Sequence, residues 1–140
     1  MKTLILLILL CSPITCFADV ITDTLIMEAA GEGLEGMTAV AEVIRTRAKE
    51  RNLSFEQVCL QKKQFSCWND LNRAGKWLKT RSKERLEALA TQAWVNSATS
   101  QKTAFNGLLA NHYFNPKLCS PSWAKGKQHI NIGNHRFLRT

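Results

Sequence analysis

Between residues 21 and 50 the apolar positions recur every three to four residues, the period of an α-helix. Ile21 and Leu25 begin one stripe, and the chain breaks at Gly31-Glu32-Gly33, which predicts a helix over 21–30. Met37, Val40, Ala41, Ile44 and Ala48 form a second stripe, which predicts a helix over 34–50 with that face in the core. Ser54 with Gln57 three residues on is the capping-box signature of a short helix ending near Leu60. The run Gln64-Phe65-Ser66-Cys67-Trp68 is expected to be extended, with a polar turn over 69–72 behind it. After Ser82 a third long helix is expected, with Glu84 and Glu87 in its early turns and a stripe of Leu86, Leu89, Ala90, Ala93 and Trp94. Short β-like runs at 109–114 and 130–138, separated by Pro116, Pro121 and Gly126, predict antiparallel strands. There is no internal repeat or linker, so the elements describe one α+β domain, mainly helical with a small antiparallel sheet.

One position on the first stripe does not belong to a core. Glu28 follows Ile21 and Leu25 at i+7 and i+3, so it points where an apolar side chain is expected. Burial disfavours the ionised form of a carboxyl, the property that a general acid working near neutral pH requires. Glu28 also precedes a glycine turn, which opens a cleft beside a rigidly presented side chain, a recurrent position for the acid of a glycan-cleaving enzyme. The bland alternative is a surface glutamate on a helix of slipped phase. Glu32 is the expected helper, orienting Glu28 or capping the next helix, and Glu35 is expected to serve helix-start electrostatics.

The first residues have the layout of a secretory signal peptide: Lys2, an apolar run at 4–10, then Cys16-Phe17-Ala18. Cleavage is expected after Ala18, leaving residues 19–140 secreted or periplasmic. The run is interrupted by Pro13 and is well short of the roughly 20 apolar residues of a membrane span. Cys59, Cys67 and Cys119 would remain, and in an oxidising compartment one pair is expected to bridge, with all three pairings open. No local feature marks any of them as an activated catalytic thiolate.

Charge is unevenly spread. Eight of the 11 acidic residues precede Lys62, whereas 14 basic residues face only Asp70, Glu84 and Glu87 from Lys62 onward. Outside the cytoplasm such a surface suits an anionic polymer, peptidoglycan with its peptide carboxylates or extracellular nucleic acid, unless it is merely solvated. Phe65, Ser66 and Trp68 next to this region offer the rings and hydroxyl that sugar faces need, and Trp123 is similar; core packing is the ordinary alternative. Two near-copies, Asn111-His112-Tyr113-Phe114 and Asn134-His135-Arg136-Phe137, place His112 and His135 on neighbouring strands. With Cys119 they can be drawn as a zinc site, although no short ligand spacing supports it; hydrogen bonds to substrate or to Glu28 are the alternative. Tyr113, the only tyrosine, either binds sugar or borders the core.

Several blocks resemble the SleB/CwlJ-type cell wall hydrolases: Glu28-Ala29-Ala30-Gly31-Glu32, Gly36-Met37, and Ala39-Val40-Ala41-Glu42-Val43-Ile44. The likeness continues through Gln64 to Trp68, His112-Tyr113 to Asn115, Pro121-Ser122-Trp123 and Ile132 to Phe137, in the family's order. Thr46, where the family usually has asparagine, and the stretch 102–110 depart from the pattern. The resemblance implies a single compact lysozyme-related domain over 19–140 that cuts the glycan between N-acetylmuramic acid and N-acetylglucosamine. It implies Glu28 as the one catalytic residue and typically lytic transglycosylation; Glu32 and His135 are the supporting residues expected from their own positions. The substrate-binding candidates are then Phe65, Ser66, Trp68, Asn111, His112, Tyr113, Asn115 and Trp123. The expected partner is the peptidoglycan glycan strand and not nucleic acid, with no cofactor or metal, and the enzyme is expected to be a monomer. A muramidase-type hydrolase, a zinc-dependent amidase and a non-catalytic cationic wall-binding module are the competing readings.

Overall fold

The computed structural model describes residues 17–69, 83–99, 105 and 108–140. The leader up to residue 16, the turn at 70–72 and most of 102–110 lie outside the described residues. Helix α1 spans Phe17–Ala29 and passes through a single 3-10 turn, Ala30–Glu32, into α2, Gly33–Arg51. The glycine break thus tightens the chain instead of ending it, and Gly33 takes the left-handed φ of 65° that lets α2 start on a new axis.

Helix α2 is the centre of the helical layer. All five stripe residues are buried, and so are Gly36, Ala39, Val43 and Arg47 on its other sides. A helix buried nearly all round its middle must be covered on several sides, and α2 packs against α1, against α3 (Phe55–Leu60) and against α4 (Lys83–Thr99). Helix α3 begins at the expected capping box: the Gln57 N–H donates to Ser54 Oγ (3.1 Å), and the Ser54 N–H donates to Gln57 Oε1 (2.9 Å). Arg45 fastens α2 to α4, its guanidinium 3.7 Å from the centre of the Trp94 ring while Nε donates to Ser97 Oγ.

The sheet has the order β1-β3-β2, all antiparallel, with β1 His112–Phe114, β2 His129–Ile132 and β3 His135–Leu138. The expected run at 130–138 is therefore a hairpin, because Gly133 (φ 57°) and Asn134 make a two-residue turn between β2 and β3. Pairing of Tyr113 with Phe137 and of Ile132 with His135 puts these four on one face, toward the helices and Phe105. His112, Phe114, Arg136 and His129 share the outer face.

Two expectations are corrected. Residues 64–68 are not extended: they form a turn that runs into a 3-10 helix, Ser66–Asn69, which the alternation of large and small residues concealed. The expected disulfide is also absent among the described residues, since Cys59, Cys67 and Cys119 are free thiols. Cys59 lies buried on α3 beside Thr24, Cys67 is buried beside Glu28 one turn further along α1, and Cys119 is exposed on the loop after β1. No described helix is long and apolar enough to cross a membrane.

Candidate active site

Glu28 sits in the last turn of α1, half-buried, with Leu25 fully buried on the turn before it. The stripe geometry thus carries the carboxyl to the edge of the core. Both of its oxygens are held. Oε1 accepts from the Ser66 hydroxyl (3.1 Å) and from the Cys67 N–H (3.1 Å), and Oε2 accepts from the Tyr113 hydroxyl (2.7 Å). The Cys67 N–H belongs to the first turn of a 3-10 helix, where backbone donors have no partner within the helix, so the turn directs a free donor at the carboxylate. The turn is itself tied to α1, because the Trp68 indole N–H donates to Thr24 Oγ1 (2.9 Å), one helical turn before Glu28.

Tyr113 reaches Glu28 from the inner face of the sheet, stacked on Phe137 and edge-on to His135. Burial, reinforced by the Glu28 charge, pushes its phenol well above the ordinary value, so the hydroxyl stays a proton donor throughout the neutral range. Behind it lies Arg47, only 4% exposed, whose Nε–H donates to the Asn111 carbonyl (2.7 Å) and whose guanidinium lies 5.2 Å from the centre of the Phe65 ring. Burial lowers the pKa of Arg47, and the charges of Tyr113 and Glu28 oppose that shift. Cys67 is pushed far up by burial and by the Glu28 charge, and Cys59 is pushed up to about 11 by burial. Both thiols thus remain protonated and neither resembles an activated nucleophile.

Glu32 joins helices to sheet. Its carboxylate is 3.4 Å from His135 Nδ1, and its stem is enclosed by two glycines. A Cβ on Gly36 would overlap Glu32 Cβ, and one on Gly133 would overlap Glu32 Cγ. Close approach therefore requires glycine at both positions, and at Gly133 the positive φ requires it as well.

Of the expected binding residues, Ser66 and Tyr113 converge on Glu28, and Trp68 flanks the site half-buried. Phe65 is corrected to the core: it is 1% exposed and leaves no ring face for a sugar. Asn111 is also buried, its amide donating to Glu50 Oε2 and to the Thr140 carbonyl, which ties Thr140 to α2. Asn115 organises a turn, its side chain accepting from the Lys117 N–H. His112 and Trp123, 5.2 Å apart between ring centres, lie on the outer face, away from Glu28. Because His112 and His135 face opposite sides of the sheet, the zinc arrangement with Cys119 does not assemble. The Cys67 N–H and Arg47 were not anticipated; a backbone donor leaves no sequence signal, but Arg47 does, since it interrupts the α2 stripe at i+3 from Ile44 as Glu28 interrupts that of α1.

The crystal structure of the catalytic domain of the Bacillus cereus SleB protein has the same fold, with a TM-score of 0.62 and 21% identity over 87% of this chain and 88% of that one. The catalytic domain of the germination-specific lytic transglycosylase SleB from Bacillus anthracis superposes with a TM-score of 0.61 and 22% identity, covering 87% of this chain and 93% of its own. No curated protein shows significant similarity to the chain. The family model described as Cell Wall Hydrolase matches residues 31–138, from three residues after Glu28 to the end of β3. Matched over most of its length, the chain belongs to the cell wall hydrolase family.

Proposed function

We propose that the protein is a peptidoglycan lytic transglycosylase in which Glu28 alone carries the proton transfers. The observation that supports this reading is the Glu28 carboxylate held by three donors from two other segments, while Glu32, four residues on, has its carboxylate 3.4 Å from His135 Nδ1. An inverting hydrolase needs a second carboxylate across the cleft to activate water, and a retaining one needs a carboxylate nucleophile. A transglycosylase needs neither. Glu28 in its acid form protonates the glycosidic oxygen as the bond to muramic acid C1 breaks. The carboxylate then takes the proton of the muramic acid 6-hydroxyl as that oxygen bonds to C1, closing a 1,6-anhydro ring and restoring the acid. Tyr113, Ser66 and the Cys67 N–H keep the carboxylate in one position through both transfers, and the exposed side of Ser66 leaves it open to the strand. The Bacillus anthracis protein is itself described as a lytic transglycosylase, and the shared fold supports the same activity here.

Secretion with removal of residues 1–18 and action as a monomer belong to the same reading; N-terminal sequencing of exported protein should begin at Asp19. Glu28→Gln is expected to fold normally and to lose clearing of purified sacculi by at least about a thousandfold. Mass spectrometry of the fragments released by the unmodified protein should find anhydro-muramic ends. Reducing ends would replace the transglycosylase with a hydrolase, free stem peptides would indicate an amidase, and an active Glu28→Gln would remove Glu28 from the chemistry.

A further inference from the structure

The outer face of the sheet carries a concavity that the Glu28 site does not use. It has a volume of about 750 Å³ and lies between β1, β3 and the loop after β1, with Phe114, Lys125, Lys127, His129 and Arg136 among its walls. Its position follows from strand alternation: Arg136 and Phe114 are paired on the face opposite Tyr113 and His135. Two observations give it a ligand preference. No aspartate or glutamate occurs after Glu87, so nothing in the lining or in the sequence around it neutralises the cations. Arg136 is also preset, because Nε donates to Asn131 Oδ1 (3.1 Å) on the neighbouring strand while its terminal amino groups have no acceptor among the described residues. A guanidinium fixed through Nε offers a paired donor edge to a carboxylate or phosphate. Trp123, 42% exposed and edge-on to Phe114, adds an apolar rim of the kind that sugar rings pack on.

We propose that this cavity is a second wall-binding site that takes the carboxylates of peptidoglycan stem peptides and holds the enzyme on the sacculus while Glu28 works on a glycan strand at the inner face. The volume suits a peptide-sized group, and its concavity differs from the extended cationic track that a nucleic-acid backbone requires. The inference rests on the wall being the substrate, but binding and cleavage are separate readouts, so either can fail alone.

The test is co-sedimentation with purified sacculi, in the cold, over a series of salt concentrations. It compares the unmodified protein with a Lys125→Glu/Lys127→Glu variant, both positions being exposed loop residues and the fold being checked by circular dichroism. The variant is expected to bind about tenfold more weakly and with a flatter salt dependence, while its turnover of short soluble muropeptide oligomers stays unchanged. Sacculi whose carboxylates have been amidated with a carbodiimide and ammonia should release the unmodified protein to the same extent. Equal binding by the variant, or undiminished binding to amidated sacculi, overturns the proposal. So does loss of binding only after hydrofluoric acid removes wall phosphate polymers, or tighter binding to anionic lipid vesicles than to sacculi.

Discussion

The Tyr113 hydroxyl donates to Glu28 Oε2 at 2.7 Å across 85 positions of sequence, and this bond joins the sheet to the helical layer at the end of α1. Tyr113→Phe keeps the stacking on Phe137 and removes only the donor. The expected result is a fall in kcat of about ten- to a hundredfold with KM nearly unchanged, since one positioning hydrogen bond is lost and the carboxylate gains freedom. Steady-state kinetics on soluble muropeptide oligomers checks it.

Ser66→Ala should cost less, a fall in kcat of about two- to tenfold, because Oε1 keeps the Cys67 N–H. The same assay separates the two donors: a Ser66→Ala defect as large as that of Tyr113→Phe would mean that the backbone donor holds nothing on its own.

Much of this arrangement was legible beforehand. Periodicity placed α2 and the last helix, and the Ser54–Gln57 motif placed α3, because each rests on local spacing or a local hydrogen bond. Glu28 was legible because a carboxylate in an apolar stripe contradicts its surroundings. The turn at 64–68 was not, since its conformation is set by Glu28 and Thr24, which lie about forty positions away and pull Cys67 and Trp68 into a 3-10 turn. Phe65 and Trp123 look equivalent in sequence, yet one is in the core and the other on the outer face, a difference decided by tertiary pairing. The cysteine count suggested a bridge because composition carries no information on where the thiols point.

Gly133→Ala is expected to destabilise the protein by about 2 kcal/mol or more, from the positive φ and from the contact with Glu32 Cγ. In Glu32→Ala that atom is gone, so the double variant should recover part of the loss while the conformational share remains. Urea titrations of the four proteins give the coupling, and strictly additive losses would show that Glu32 is not what the new methyl group meets.

Stability should also fall in alkali. A thiol of ordinary value 9.0 that is pushed up to about 11 on folding, as Cys59 is, contributes stability that is fully present below pH 9. Above that the unfolded chain ionises first, so the contribution declines between pH 9 and about 11. Its size is on the order of 2 kcal/mol. Cys59→Ala should therefore lose less stability across this interval than the unmodified protein, while Tyr113 and Cys67, shifted in the same direction, keep part of the decline in both. Urea midpoints measured along a pH series check the difference.

Strand β1 is only three residues long, and its middle member faces Glu28 while its two neighbours face the outer side of the sheet. Deleting or inserting a single residue in the stretch 108–112 would exchange those roles, setting a histidine or a phenylalanine opposite Glu28 and turning the tyrosine to solvent. The spacing that anchors Tyr113 should therefore tolerate substitution far better than any shift of frame.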